Sequence, residues 1–212
     1  MKERPILLNG DMARAVLNGS KTQTRRILTP HQLKMIEAAA HAGECYPLES
    51  GHQHANSQSY YREWCPFGLP GDRLWVRETF MDLKGTGIES TTGQFEGFAY
   101  RADTPPGSYG DMARKGYGLK WTPSLHMPRK ASRITLEITG VRVERLQDIS
   151  EADARAEGAH WSDGNPDGFG IVTQLVVNAK DEFAHLWRTI YGAESWQANP
   201  WVWVIEFKRV EV

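Results

Sequence analysis

Hydrophobic and polar residues alternate most regularly in the last third of the chain. Ile134, Leu136 and Ile138 are set against Arg133, Thr135 and Glu137, and beyond Gly140 the pair Val141 and Val143 is set against Arg142 and Glu144. This period of two predicts two antiparallel strands with Gly140 between them. Trp201, Trp203, Ile205 and Phe207 fall on one face of a further strand, with Val202, Val204, Glu206 and Lys208 on the other. Phe183, Leu186, Trp187, Ile190 and Tyr191 keep the spacing of an amphipathic helix that ends at Gly192. Ser150-Glu151-Ala152-Asp153 matches a capping box opening a short helix that stops near Glu157 and Gly158. Nearer the start, residues 4–8 read as a short strand. Asn9 or Asp11 caps a helix through Leu17 with Met12, Ala13 and Val16 on its apolar face and Gly19 as its stop. Residues 22–28 read as a strand with one wet face, Thr29-Pro30 opens a helix over 31–41, and residues 74–80 form a strand after the turn Pro70-Gly71-Asp72.

Two stretches lack such a pattern. Residues 43–71 are rich in Ser, His, Gln and Gly and read as a long loop, and residues 83–128 contain eight Gly and four Pro, with only 97–101 resembling a strand. A loop that long in a compact domain is a functional insertion or a disordered one. About six or seven short strands without the alternating helices of a parallel fold predict an α+β architecture: a mixed β-barrel with helices across its ends. We expect one domain over residues 1–212, with insertions at about 42–70 and 83–128.

Composition narrows the partners. With 212 residues, 40% of them hydrophobic, and a net charge of -1, the chain is an ordinary folded protein and not one that coats nucleic acid through many phosphate contacts. No apolar run approaches the ~18 residues of a membrane span, and the start of the chain has no signal-peptide pattern, so a cytoplasmic location without a membrane partner is expected. Cys45 and Cys65 are too few for a disulfide framework, and their spacing to His52 and His54 does not match a zinc knuckle, so no metal is expected. The 8 Trp serve as core anchors or as platforms for flat ligands.

Positive charge is concentrated at the start. Residues 1–30 hold six Lys and Arg against two Asp and Glu, centred on Gly19-Ser20-Lys21-Thr22-Gln23-Thr24-Arg25-Arg26. On charge alone this is either a site for a phosphate-like anion or a solvated basic turn. The spacing Gly19-x-Lys21-x-x-Thr24-x-Arg26 resembles the N-terminal signature of the ASCH family, whose members have a small barrel similar to PUA domains. Further segments agree in order: Gly71-Asp72 with Leu74-Trp75-Val76-Arg77-Glu78, residues 141–158 as strand plus acidic helix, and Asn199-Pro200-Trp201-Val202-Trp203-Val204-Ile205-Glu206-Phe207 as the closing strand. The chain is similar to the longer ASCH proteins often encoded in phages and prophages, and the small ASCH enzymes have no counterpart of its two insertions.

The resemblance implies an amidohydrolase acting on N4-acetylcytidine or a related modified nucleoside, without a cofactor. It matches Lys21, Thr24 and Glu78 to the family's catalytic lysine, threonine and glutamate. A threonine hydroxyl is a weak nucleophile that needs a neighbouring base, and a lysine serves only if burial or nearby cations lower its pKa, with Arg25, Arg26 and Arg77 as the cations. Glu78 then orients the lysine or passes a proton to the leaving amine. The same residues also suit a pocket that binds RNA or a modified base without changing it, and a nuclease is a third reading within the family. Trp75, Trp121 in the second insertion and Tyr100 are candidates for stacking on a base, Arg77 is a candidate substrate contact, and Arg25, Arg26, Arg129 and Lys130 are candidates for phosphate.

Overall fold

A computed structural model describes residues 1–90, 93–159 and 178–210. Asn9, as expected, accepts a hydrogen bond from the Met12 amide and opens α1 (Gly10–Leu17), after β1 (Glu3–Leu7). A capping box at Thr29 opens α2 (Pro30–His41) behind β2 (Gln23–Ile27). Residues 43–71, expected as a loop, instead contain α3 (Leu48–Gly51) and α4 (Ala55–Glu63). The helix α4 is anchored by polar groups that a hydrophobic pattern does not register. Gln58 donates from Nε2 to the Val143 carbonyl at 2.7 Å and accepts from the Val143 amide at 2.9 Å, as a neighbouring strand would.

The segment expected as one strand over 74–80 divides into β3 (Arg73–Arg77) and β4 (Phe80–Asp82) on either side of Glu78 and Thr79. The strand expected at 97–101 is β5 (Phe98–Tyr100), paired antiparallel with β4. The insertion over 83–128 also holds α5 (Tyr109–Gly116). The two strands expected around Gly140 are one continuous strand, β6 (Thr135–Arg145). Gly140 makes no turn; it admits the Glu206 side chain, whose Oε2 would lie 2.6 Å from a Cβ at that position. The rest is α6 (Glu151–Ala156), α7 (Ala179–Tyr191), α8 (Ala193–Gln197) and β7 (Trp201–Val210).

The architecture is therefore α+β. Its hydrogen-bonded strand order is β1-β3-β6-β7-β2, a mixed sheet because β1 and β3 run parallel, and β4-β5 form a separate ribbon. Among the described residues this order does not close into a barrel. The chain divides into two compact units, with β6 passing from one to the other. The first comprises Met1–Gly19, Asp72–Glu137 and the chain end from Arg209, and the second Ser20–Gly71 and Ile138–Lys208. In the second unit, Phe183 and Trp187 pack with Leu146, Ile149, Val202 and Val204, so β7 is buried on both faces. In the first, Phe80, Tyr100 and Met127 form one apolar cluster and Met81, Leu83 and Ala99 another. No helix among the described residues is long and apolar enough to cross a membrane.

Candidate functional site

Residues at every second position from Lys21 to Arg25 converge on acids of the same unit. Lys21 Nζ, with no side-chain exposure, donates to Glu157 Oε2 at 2.6 Å and to the Glu157 carbonyl at 2.8 Å. Gln23 Nε2 donates to the Asp153 carbonyl at 2.6 Å. Arg25, equally buried, donates from Nε and Nη2 to Glu144 Oε1 at 3.0 and 2.5 Å and from Nη1 to Glu157 Oε1 at 3.1 Å. Arg142 adds a further cation, bonded to Glu144 and Asp153 at 3.1 Å each. Local sequence produces this arrangement: an extended segment sends alternate side chains one way, and Asp153 and Glu157 lie four residues apart on one helical face.

Burial lowers the Lys21 pKa from its ordinary value, against the Glu157 carboxylate that raises it, and the Arg25 and Arg26 guanidiniums lower it further. Thr24 and Arg26 occupy the alternate positions. Thr24 is buried, and its Oγ1 accepts a hydrogen bond from Arg26 Nη1 at 3.0 Å. Lys21, Thr24, Arg25 and Arg26 are thus brought into one segment, but the hydrogen bonds of Lys21 go to Glu157 while that of Thr24 comes from Arg26.

Glu78 belongs to the other unit and to a separate buried cluster. Arg133 forks onto it, Nε to Oε1 at 2.9 Å and Nη2 to Oε2 at 3.1 Å, and also holds Asp103 with Nη1 at 2.5 Å and Nη2 at 3.0 Å. The Arg133 guanidinium lies 3.9 Å from the Tyr100 ring centre, and the Tyr100 hydroxyl donates to the Ala131 carbonyl at 2.9 Å. Burial raises the Glu78 pKa above the ordinary carboxylate value, and the hydrogen bonds and charge of Arg133 pull it back. Tyr100 is raised in the same way, first by burial.

Trp75, Arg77 and Arg129 meet on the outward face of β3. The Arg77 and Arg129 guanidiniums stand 5.4 and 6.0 Å from the Trp75 ring centre. Arg129 also donates from Nε to Glu3 Oε2 at 3.1 Å, and Arg77 donates to the Leu125 carbonyl. Cys45 and Cys65 form no disulfide, and among the described residues no group of His, Cys, Asp and Glu is arranged to hold a metal ion.

Sequence reasoning did not single out Glu144, Asp153 and Glu157 as partners of the basic segment, nor Arg133 as the partner of Glu78. The four-residue spacing of Asp153 and Glu157 was the available signal for the first. For the second there is no local signal, because Arg133 and Glu78 are 55 residues apart. No protein-family model, no curated protein and no solved structure matches the chain.

Proposed function

We propose that the chain is an ASCH-type protein on a PUA-like barrel scaffold, and that its segment from Lys21 to Arg26 hydrolyses the acyl group of an N4-acylated cytidine or a related modified nucleoside. The observation that carries this reading is Lys21: an amine shielded from water, its pKa lowered by burial, in a segment that also carries a threonine hydroxyl held by a guanidinium. A buried amine with a lowered pKa is the form of lysine that works as a general base.

In the reaction, Lys21 in its deprotonated form, having left Glu157 and turned to the face of the segment that carries Thr24, takes the proton of Thr24 Oγ1 as that oxygen bonds to the acyl carbon. The bond from the acyl carbon to N4 breaks, the proton passes to N4, and cytidine leaves. Water then adds to the threonine ester, releasing the carboxylic acid and restoring the hydroxyl. Arg26, already donating to Thr24 Oγ1, favours charge building on that oxygen. Glu157 is the carboxylate set against Lys21, while Glu78, matched by the family resemblance, is held by Arg133.

A binding-only reading has one observation in its favour: Lys21 Nζ is engaged by Glu157 at 2.6 Å, and its partner is not Thr24. Chromatography of N4-acetylcytidine incubated with wild type and with Lys21→Ala, Thr24→Ala, Glu157→Gln and Glu78→Gln separates the two. Wild type should release cytidine, and loss of the base or the nucleophile should slow release by about 100-fold or more. An unchanged rate in Glu157→Gln with loss in Glu78→Gln would make Glu78 the working carboxylate. Absence of cytidine with folded wild type at high concentration rejects hydrolysis in favour of binding.

A further inference from the structure

A cavity of about 380 Å³ lies within the first unit, inside the insertion that the basic segment does not use. It opens to the surface, and ligand clefts begin at about 300 Å³. Its floor is the β4-β5 ribbon, where Met81 and Ala99 are register partners, continued by Leu83. Leu119 and Trp121 supply a wall, and α5 supplies another. The side of α5 lining the cavity carries Gly110 and Ala113, small residues that leave the space open. Tyr109 and Tyr117, at the two ends of α5, are 85% and 70% exposed and also line the cavity.

The charges on these walls are spent on each other. Arg114 donates from Nε and Nη2 to Asp111 Oδ1 at 3.3 and 2.9 Å and from Nη1 to the Leu119 carbonyl at 2.8 Å, with its guanidinium 5.6 Å from the Trp121 ring centre. Asp111 also takes Lys115 Nζ at 2.8 Å and the Gly107 amide at 3.1 Å. The buried Thr104 hydroxyl donates to the Tyr100 carbonyl. Glu89, exposed among the lining residues, repels an anion. An anionic ligand would find no cation to spare and would face Glu89, whereas a flat apolar one meets aliphatic side chains below and aromatic rings around it.

We propose that this cavity is a binding site for an uncharged, planar aromatic molecule of one or two ring systems. It lies against Ile88, Trp121 and Tyr117, above the buried floor of Met81 and Leu83.

The test is fluorescence titration of the full chain with N-phenyl-1-naphthylamine, an uncharged aromatic probe that brightens in apolar sites, beside its sulfonated relative 1-anilinonaphthalene-8-sulfonate. Saturable one-to-one binding of the neutral probe, tighter than that of the sulfonate, is expected. Ala113→Phe fills the space from α5 and should weaken binding by about tenfold or more; Tyr117→Ala, at an exposed position, should weaken it by about three- to tenfold. Circular dichroism melts confirm that each variant is folded, and Tyr117→Ala carries the test if Ala113→Phe is not. No saturable signal, preference for the sulfonate, or unchanged affinity in the folded variants would overturn the assignment.

Discussion

Lys21 and Glu78 are both charged groups held away from water, and each depends on one opposite charge. For Lys21 that charge is Glu157, which also holds Arg25, so Glu157→Gln leaves two buried cations short of a counter-ion. Removing one partner of a buried pair costs about 3 to 5 kcal/mol, and urea unfolding of Glu157→Gln should show a loss near the lower end, because the amide oxygen still accepts a hydrogen bond. A loss below about 1 kcal/mol would mean that water already reaches the pair. Glu78 lends itself to a pH test. Its carboxyl is raised above the ordinary 4.5, so the folded chain binds its proton at a higher pH than the unfolded chain does. The stability it contributes is therefore fully present below 4.5 and is lost as pH rises through the raised value. Thermal melts of wild type against Glu78→Gln across the weakly acidic range should show wild type gaining on the variant as pH falls, and a constant difference would contradict the raised pKa. Short motifs single out Lys21, Thr24 and Glu78 as candidates. Their partners were not legible, because an ion pair between Glu78 and Arg133 depends on chain folding and leaves no periodic trace.

Among the elements, β6 shows most directly how one residue sets the path of the chain. A glycine between two alternating runs reads as a turn, yet the strand continues through it, and Glu206 occupies the room a side chain there would take. Glu206 is bonded to Arg142, so moving its carboxylate aside weakens that pair. Gly140→Ala should therefore destabilise the chain by about 1 kcal/mol despite the usual gain from replacing glycine in a strand. With Glu206→Ala in the same chain the clash is gone, and Gly140→Ala should then be neutral or stabilising. A double-mutant cycle by urea unfolding reads that change of sign, and additive effects would show that Glu206 does not set the requirement. Elements with their own caps and apolar stripes, such as α1, α2 and α7, were legible before the structure. The helix α4 was not, because its fixed points are the buried Ser57 and Tyr61 and the paired Gln58, in a stretch whose composition is that of a loop.

Over the whole molecule, 25 Lys and Arg balance 26 Asp and Glu, and several of the guanidiniums are spent on internal pairs. Arg25 is bonded to Glu144 and Glu157, Arg133 to Glu78 and Asp103, Arg142 to Glu144, Asp153 and Glu206, Arg145 to Glu49 and Arg129 to Glu3. A guanidinium already forked onto a carboxylate must give up that pair to take a phosphate, so the positive excess near the start of the chain overstates what a nucleic acid would meet. A nucleoside site needs no such reserve, since the ligand is uncharged. This bears on the choice between a small substrate and a long RNA. Each phosphate neutralised on a single strand contributes about -0.7 to the slope of log affinity against log salt. Anisotropy titrations of a labelled single-stranded RNA from about 50 to 200 mM salt should then give a slope no steeper than about -2, or roughly three phosphate contacts. A slope of about -5 or steeper would mean that the internal pairs open for phosphate and that RNA, not a nucleoside, is the partner to pursue.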